Sequence, residues 1–435
     1  MIVNIFLLIF GIYEITTALK CSFAKKPPQG CARFGVMTDM HYYPANLVNC
    51  NSPVYQNYLK QDAKLTEESG AVIDAAINAM LACEVEFVIL AGDLTNEGEK
   101  QSHLELAELL HKFTQKGIQV FVTPGNHDIN NRLAMSYLNN EQTPIDTINE
   151  HDFEEIYYNF GFKQAYSRDV DTLSYCARVK EGLNIITIDA NQYKNNKDKP
   201  LPDGILSDDS VTWAENEIRS SLKRGERIIG VMHHGLVEHF ENQGKSFRAF
   251  LVNDFDKIGQ RLVEAGLDFV FTGHLHAQDI SSAIYNGKSI TDIETAALTS
   301  VPFAWRLCCI NHDELIIETR YIDEIDFDYG SDLPFRKWAT QRVWEGLLEL
   351  EAYFLKQYNG LTEEQTKIAA PYYARAFMAH FCGDENPSQE DKEFYLKHKN
   401  DPQSPYYEVA KIFSALWTDL PDSDNDLTLH LRHID

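Results

Sequence analysis

Between Arg33 and about Asp323, short apolar runs alternate with longer stretches whose apolar residues recur at helical spacing, the pattern of a sheet covered by helices. The short runs predict strands at Phe34–Thr38, Phe87–Ala91, Val120–Thr123, Ile185–Ile188, Ile228–Met232 and Phe269–Thr272. Helices are expected at Ser102–Lys116 and at Gly70–Ala82, where Val72, Ile73, Ala76, Ile77 and Met80 share one face. Every one of these strands except Ile185–Ile188 leads into a loop that carries Asp, Asn or His. Open α/β sheets gather ligand sites just beyond the C-terminal ends of their strands, where several loops converge.

Past Asp323 the texture changes. From Phe335 to Thr418, apolar residues return at helical spacing, first Trp344, Leu347, Leu348, Tyr353 and Leu355, then Tyr372, Tyr373, Phe377 and Phe381. This predicts three or four helices, bounded by Pro371, Pro387 and Pro405. The aromatic stripe is read as packing against the main domain, with a substrate-facing lid as the alternative. Asp419–Asp435 is polar and is expected to fray, and no internal repeat is found. The organisation expected is a signal peptide over 1–20, an α/β domain over 31–325 and a helical region over 335–420.

Composition narrows the classes. A chain of 435 residues, 44% hydrophobic, has material for a large core. A net charge of -26 and the absence of a basic stripe exclude a nucleic-acid duplex as a general partner, because the phosphates would be repelled. The stretch from Met1 to Ala18 holds about a dozen apolar residues before Thr16, Thr17 and Ala18, and reads as a secretory signal, although no Lys or Arg precedes it. It is too short for a transmembrane helix, and no other stretch is a stable membrane span. Export to the periplasm or the extracellular space is the expected localisation. Eight cysteines are compatible with disulfides there, but their spacings define no pairing. Cys83, where a helix hands over to a strand, reads as a packed core thiol, and the adjacent Cys308 and Cys309 would need separate partners.

Five clusters carry the chemistry: Asp39-Met40-His41, Gly92-Asp93-Leu94-Thr95-Asn96, Gly125-Asn126-His127-Asp128, His233-His234 and Gly273-His274-Leu275-His276. Each alone has an ordinary explanation as turn chemistry or a solvated loop. Together, in order, and each just past a strand end, they point to one site. Imidazole pairs, two carboxylates and a carboxamide can supply two cations about 3.5 to 4 Å apart with a shared anionic ligand and open positions. With no cysteine in the set, the donors suit Fe, Zn or Mn. Gly92, Gly125 and Gly273 stand at sharp strand exits, where positive φ or close backbone approach is required.

This constellation resembles the calcineurin-like metallophosphoesterase family over Asp39–His276. The resemblance implies a four-layer αββα sandwich and a hydrolase of phosphate esters acting on a small substrate. It implies that Asp39, His41 and His276 hold one ion, that Asn126, His233 and His274 hold the other, and that Asp93 bridges them. His234 is the alternative to His233. His127 is implied as the catalytic histidine, with Asp128 fixing its ring, and the reaction as in-line attack by a hydroxide held between the ions.

Departures narrow the branch. Purple acid phosphatases carry glycine where His41 stands and tyrosine where Asn96 stands, and protein Ser/Thr phosphatases read differently from Leu94-Thr95-Asn96-Glu97-Gly98. An acid sphingomyelinase would bring a cysteine-rich segment upstream, where only Cys21 and Cys31 lie. The chain looks most like the bacterial branch that is similar to class III cyclic-nucleotide phosphodiesterases. Phosphodiesters, with phosphomonoesters beside them, are the expected substrates. Cyclic nucleotides in the strict sense, or a metal-binding scaffold without catalysis, are the alternatives.

Overall fold

The computed structural model describes residues 21–23, 30–383 and 385–434, so the expected signal segment at 1–20 lies outside the described residues. Along the chain run strand β1 (Ala32–Met37), helix α1 (Ser69–Ala82), β2 (Phe87–Ala91), α2 (Lys100–Thr114) and β3 (Gln119–Thr123). After a stretch that holds a two-stranded ladder and a short helix come β4 (Ala165–Arg168), β5 (Tyr175–Lys180), β6 (Leu183–Ile188), α3 (Asp208–Lys223), β7 (Arg227–Met232), α4 (Phe255–Ala265) and β8 (Phe269–Thr272). Four strands follow: β9 (Asp279–Tyr285), β10 (Lys288–Glu294), β11 (Ala304–Ile310) and β12 (Glu314–Tyr321). The chain ends in helices α5 (Phe335–Gln357), α6 (Glu363–Cys382), α7 (Gln389–Lys399) and α8 (Tyr407–Phe413), then strand β13 (Asp426–His430).

Among the described residues the strands form a six-stranded sheet, in the order β13-β12-β11-β1-β2-β3, and a seven-stranded sheet, in the order β9-β10-β8-β7-β6-β5-β4. β1, β2 and β3 run parallel in the first, and β6, β7 and β8 in the second. These are the fully buried apolar runs that parallel strands covered on both faces require. The two sheets face each other through Phe34 and Phe271, whose rings meet edge-on 5.7 Å apart within one shared core. Helices α1 and α2 cover the first sheet with Val72, Ile77, Leu106 and Leu110, and α3 and α4 cover the second with Val211, Ile218, Leu262 and Val263. Each such side chain contributes about 1.5–3 kcal/mol by leaving water. Gly35 lets α1 close on β1, since a Cβ there would sit 2.7 Å from Met80 Sδ. The fold is therefore the expected α/β sandwich, helix, sheet, sheet, helix.

Three sequence expectations need correction. Pro371 does not bound a helix but lies inside α6, where Ala369, Ala370, Tyr373 and Ala374 are buried and hold the helix through the lost backbone bond. The final segment does not fray: Leu427 and Leu429 alternate at strand spacing, and β13 pairs antiparallel with β12 from Glu314↔His430 to Glu318↔Asp426. Cys83 is not a free core thiol, because it is bonded to Cys21, while Cys31 is bonded to Cys309 and Cys308 is free and buried. No helix among the described residues is long and apolar enough to cross a membrane.

Candidate metal centre

The parallel strands bring the five clusters to one edge. The loops leaving β1 and β2 stay paired beyond the sheet, with Asp39 N–H donating to Gly92 O at 3.0 Å and His41 N–H to Asp93 O at 3.1 Å. The loops leaving β7 and β8 are tied by Gly273 N–H to His233 O at 3.1 Å. His274 N–H then donates to the Asp39 carboxylate at 3.1 Å, joining the two sheets. Asp39, His41, Asp93, His274 and His276 all have positive φ, between 42° and 81°. Left-handed backbone at non-glycine residues costs on the order of 1 kcal/mol or more each, and such strain collects at functional sites.

The three glycines are explained by crowding. A Cβ on Gly92 would meet the His233 ring, on Gly125 the Asp93 carboxylate, and on Gly273 Thr38 and Asp39; only Gly92 also has positive φ, 94°.

Two sets of donors share Asp93. Asp39, His41, Asp93 and His276 offer one ligand atom each within 4.8 Å of one another, as do Asp93, His233 and His274. His41 Nε2 and His276 Nε2 face each other at 3.1 Å, His276 Nε2 lies 3.3 Å from Asp39 Oδ1, and His41 Nε2 is 3.8 Å from Asp93 Oδ2. Ligand atoms around a cation bound at about 2.0–2.2 Å stand roughly 3–3.5 Å apart. Two imidazole nitrogens and two carboxylates converging without a fixed cation is the arrangement such an ion would complete. In the second set, His233 Nε2 lies 3.4 Å from Asp93 Oδ2 and 3.2 Å from Asn126 Oδ1. Its Nδ1–H donates to Ala91 O at 2.9 Å, which fixes the tautomer that leaves Nε2 as a ligand. His274 Nε2 donates to Pro202 O at 2.9 Å, leaving Nδ1 as its ligand atom. The residues present thus fit two ions, and the structure brings Asp39, His41, Asp93, Asn126, His233, His274 and His276 together. His234, the alternative to His233, stands in neither donor group; its Nε2 donates to Pro202 O at 2.9 Å.

His127 also reaches this place. Its N–H donates to Asp93 Oδ1 at 2.9 Å, and its Nε2 is 3.9 Å from Asp93 Oδ2 with the side chain 26% exposed. The expectation that Asp128 orients the ring is wrong. The Asp128 carboxylate instead accepts from the N–H groups of Leu94, Thr95 and Gly125 and from Thr95 Oγ1, pinning the second cluster to the third. Glu97 holds the ring, its Oε2 accepting from His127 Nδ1 at 3.0 Å, and Asn131 Nδ2 donates to the same oxygen at 2.6 Å. Burial alone would disfavour imidazolium here, but the Glu97 and Asp93 carboxylates outweigh it and raise His127 to about 10. Glu97 sits four positions after Asp93 in the same loop, and its acidity and that spacing are the available sequence signal. Lys64, 3.6 Å from Asp62, sends positive charge toward His41 and His127, and no motif marks it in the sequence.

Comparison with known proteins identifies the family. The family model described as calcineurin-like phosphoesterase matches residues 32–278. The uncharacterized metallophosphoesterase YhaO of Bacillus subtilis (strain 168) is 25% identical over 271 residues, 58% of this chain and 54% of its own length, so the chain spans about half of that relative. A crystal structure of a dimetal phosphatase from Danio rerio is 13% identical with a TM-score of 0.45, over 68% of this chain and 97% of that one. With the family model covering more than half of the sequence, the chain belongs to the calcineurin-like phosphoesterases.

Proposed function

We propose that the chain is an exported two-metal hydrolase of phosphate esters, acting on phosphodiesters and less readily on phosphomonoesters. The observation that carries this reading is the Asp93 carboxylate, which stands in both donor sets at once. Asp39, His41 and His276 with Asp93 would hold one ion, and Asn126, His233 and His274 with Asp93 the other, with Fe, Zn or Mn suited to these donors. Bound there, two such ions supply Lewis acidity at the phosphoryl group and a water acidified from 15.7 toward about 7.

The chain's own groups do the rest. Glu97 accepts the Nδ1 proton of His127 in a hydrogen bond and keeps the ring upright, so Nε2 faces the space beside Asp93. A proton on that Nε2 is placed to neutralise a leaving alkoxide oxygen. Cations on Asp93 would offset that carboxylate's upward pull on His127 and oppose the ring's charge, which leaves Glu97 as the group that favours the protonated ring. Asp128 keeps the Asp93 and Asn126 loops in register.

Export is supported by the two disulfides, Cys21–Cys83 and Cys31–Cys309, since such bonds persist in oxidising compartments. The test is turnover by metal-stripped protein given Mn, Zn or Fe, on bis-nitrophenyl phosphate, nitrophenyl phosphate, cyclic nucleotides and phospholipid headgroups. Metal-dependent turnover of the diester, ahead of the monoester, is expected. No turnover of any of these with any of the metals, in folded protein, would favour the non-catalytic scaffold.

A further inference from the structure

Behind the loop that carries His274 and His276 lies a second convergence of buried charge, between the second sheet and the C-terminal helices. Asp279 at the start of β9, His380 near the end of α6 and Glu385 just beyond it offer ligand atoms within 4.8 Å of one another. Glu385 also forms such a group with Asp419 and Asp424. His380 Nδ1 is 2.6 Å from Glu385 Oε1 and 3.9 Å from Asp279 Oδ2. The second oxygen of Glu385, Oε2, has no hydrogen-bond partner although its side chain is only 2% exposed.

The nearby cationic side chains are mostly engaged elsewhere or shared among several acids. Arg306 is fully buried here, but its N–H groups go to the main-chain carbonyls of Asp424 and Glu294 and to Thr295 Oγ1. His239 is spread over three carboxylates, with Nδ1 2.7 Å from Asp279 Oδ1 and Nε2 3.5 Å from both Asp292 and Glu294. Asp292 otherwise accepts from the Leu236 and Val237 N–H groups and the Thr272 hydroxyl, and Glu294 from the Leu275 and Ala277 N–H groups. Asp279 thus shares His239 and His380, and Glu385 has His380 at one oxygen while its buried Oε2 has no hydrogen-bond partner. A buried carboxylate oxygen left without a partner is costly, and a coordinated cation is one remedy.

We propose that Asp279, His380 and Glu385, with Asp419 and Asp424 completing the sphere, form a third divalent-cation site separate from the Asp93 centre. One imidazole among carboxylates suits Mn or Zn, and His380 can release its Nδ1 proton to such an ion. Asp419 is exposed, which opens the cluster to solvent on that side and provides a route of entry. The role of the ion is structural. It fastens the C-terminal helices to β9 three residues after His276, and so to the loop that supplies ligands to the first centre.

The test is a metal count by mass spectrometry on full-length protein saturated with Mn or Zn and freed of excess, together with anomalous diffraction from Mn-loaded crystals. Three ions per chain are expected in the wild type, with an anomalous peak between Asp279 and Glu385. The Asp279→Asn/Glu385→Gln double variant is expected to hold two, and Asp93→Asn to keep the third. If the double variant fails to fold, Glu385→Gln alone is counted in the same way. Only two ions in saturated wild type, no peak by His380, or three ions retained in either folded variant would overturn the proposal.

Discussion

The Gly273–Gln278 loop has two sides that use the same residue types to different ends. On its front, His274 and His276 converge with Asp39 and Asp93 on left-handed backbone, their nitrogens and oxygens close enough to ligate cations. On its back, Glu294 Oε1 accepts from the N–H groups of Leu275 and Ala277, and the strand beyond runs into a buried set of acids and imidazoles. The front is built from contiguous motifs at strand ends, and the back from single residues spread over more than a hundred positions. What the contrast teaches is that binding geometry can be compressed into short runs of sequence. The scaffold that aims it is assembled from wherever the fold happens to bring an acceptor.

The sharpest way to break this contrast is at Asp93, the residue common to both front donor sets. Asp93→Ala is expected to lose the ions of that centre and to bring metal-dependent turnover to background, seen by metal analysis and a diester assay; retained turnover would remove Asp93 from the mechanism. His127→Ala comes next. Because its ring contacts Glu97 and the Asp93 region without being needed as a ligand, kcat should fall by about 10²–10⁴-fold with metal content unchanged. Equal loss of metal in the two variants would mean His127 is a ligand. On the back, Glu294→Ala frees the Leu275 and Ala277 amides and should weaken metal affinity at the front by about 10- to 100-fold in a chelator competition. Glu294→Gln keeps an oxygen that can accept both amides and should restore most of that affinity.

The parallel strands are legible because the apolar runs within β1, β2, β3, β7 and β8 lead into polar clusters, and the candidate donors are legible because each cluster is contiguous. Less of the support was visible. Glu97 and Asp128 exchanged the roles expected of them because chain adjacency says nothing about which way a carboxylate turns. In the structure the carboxylate next to His127 turns toward backbone N–H groups, and the one thirty residues earlier reaches the ring. The pairing of Cys21 with Cys83 and of Cys31 with Cys309 depends on sequence separations of 62 and 278, which no local pattern encodes. β13 has a weak sequence signal, since three leucines at alternate positions among aspartates gain their meaning only beside β12.

A carboxylate remote from both sides of the loop separates the cost of burial from the effect of metal. Glu351 on α5 is 3% exposed, and burial alone raises it to about 8 from its ordinary 4.5. Between those values the folded chain holds a proton there that the unfolded chain has released. Stability from this group is therefore greatest at or below about pH 4.5, falls as pH rises toward about 8, and changes little beyond. Glu351→Gln removes the ionisable group while nearly keeping its volume. At pH 8 it should raise stability by about 1–2 kcal/mol, a few degrees in Tm, less than the full shift implies because the amide is itself a buried polar group. Near pH 4.5 the variant and wild type should melt together, and diester turnover should match at both pH values. A Tm gain of the same size at both pH values would show that packing, and not the charge, governs this position.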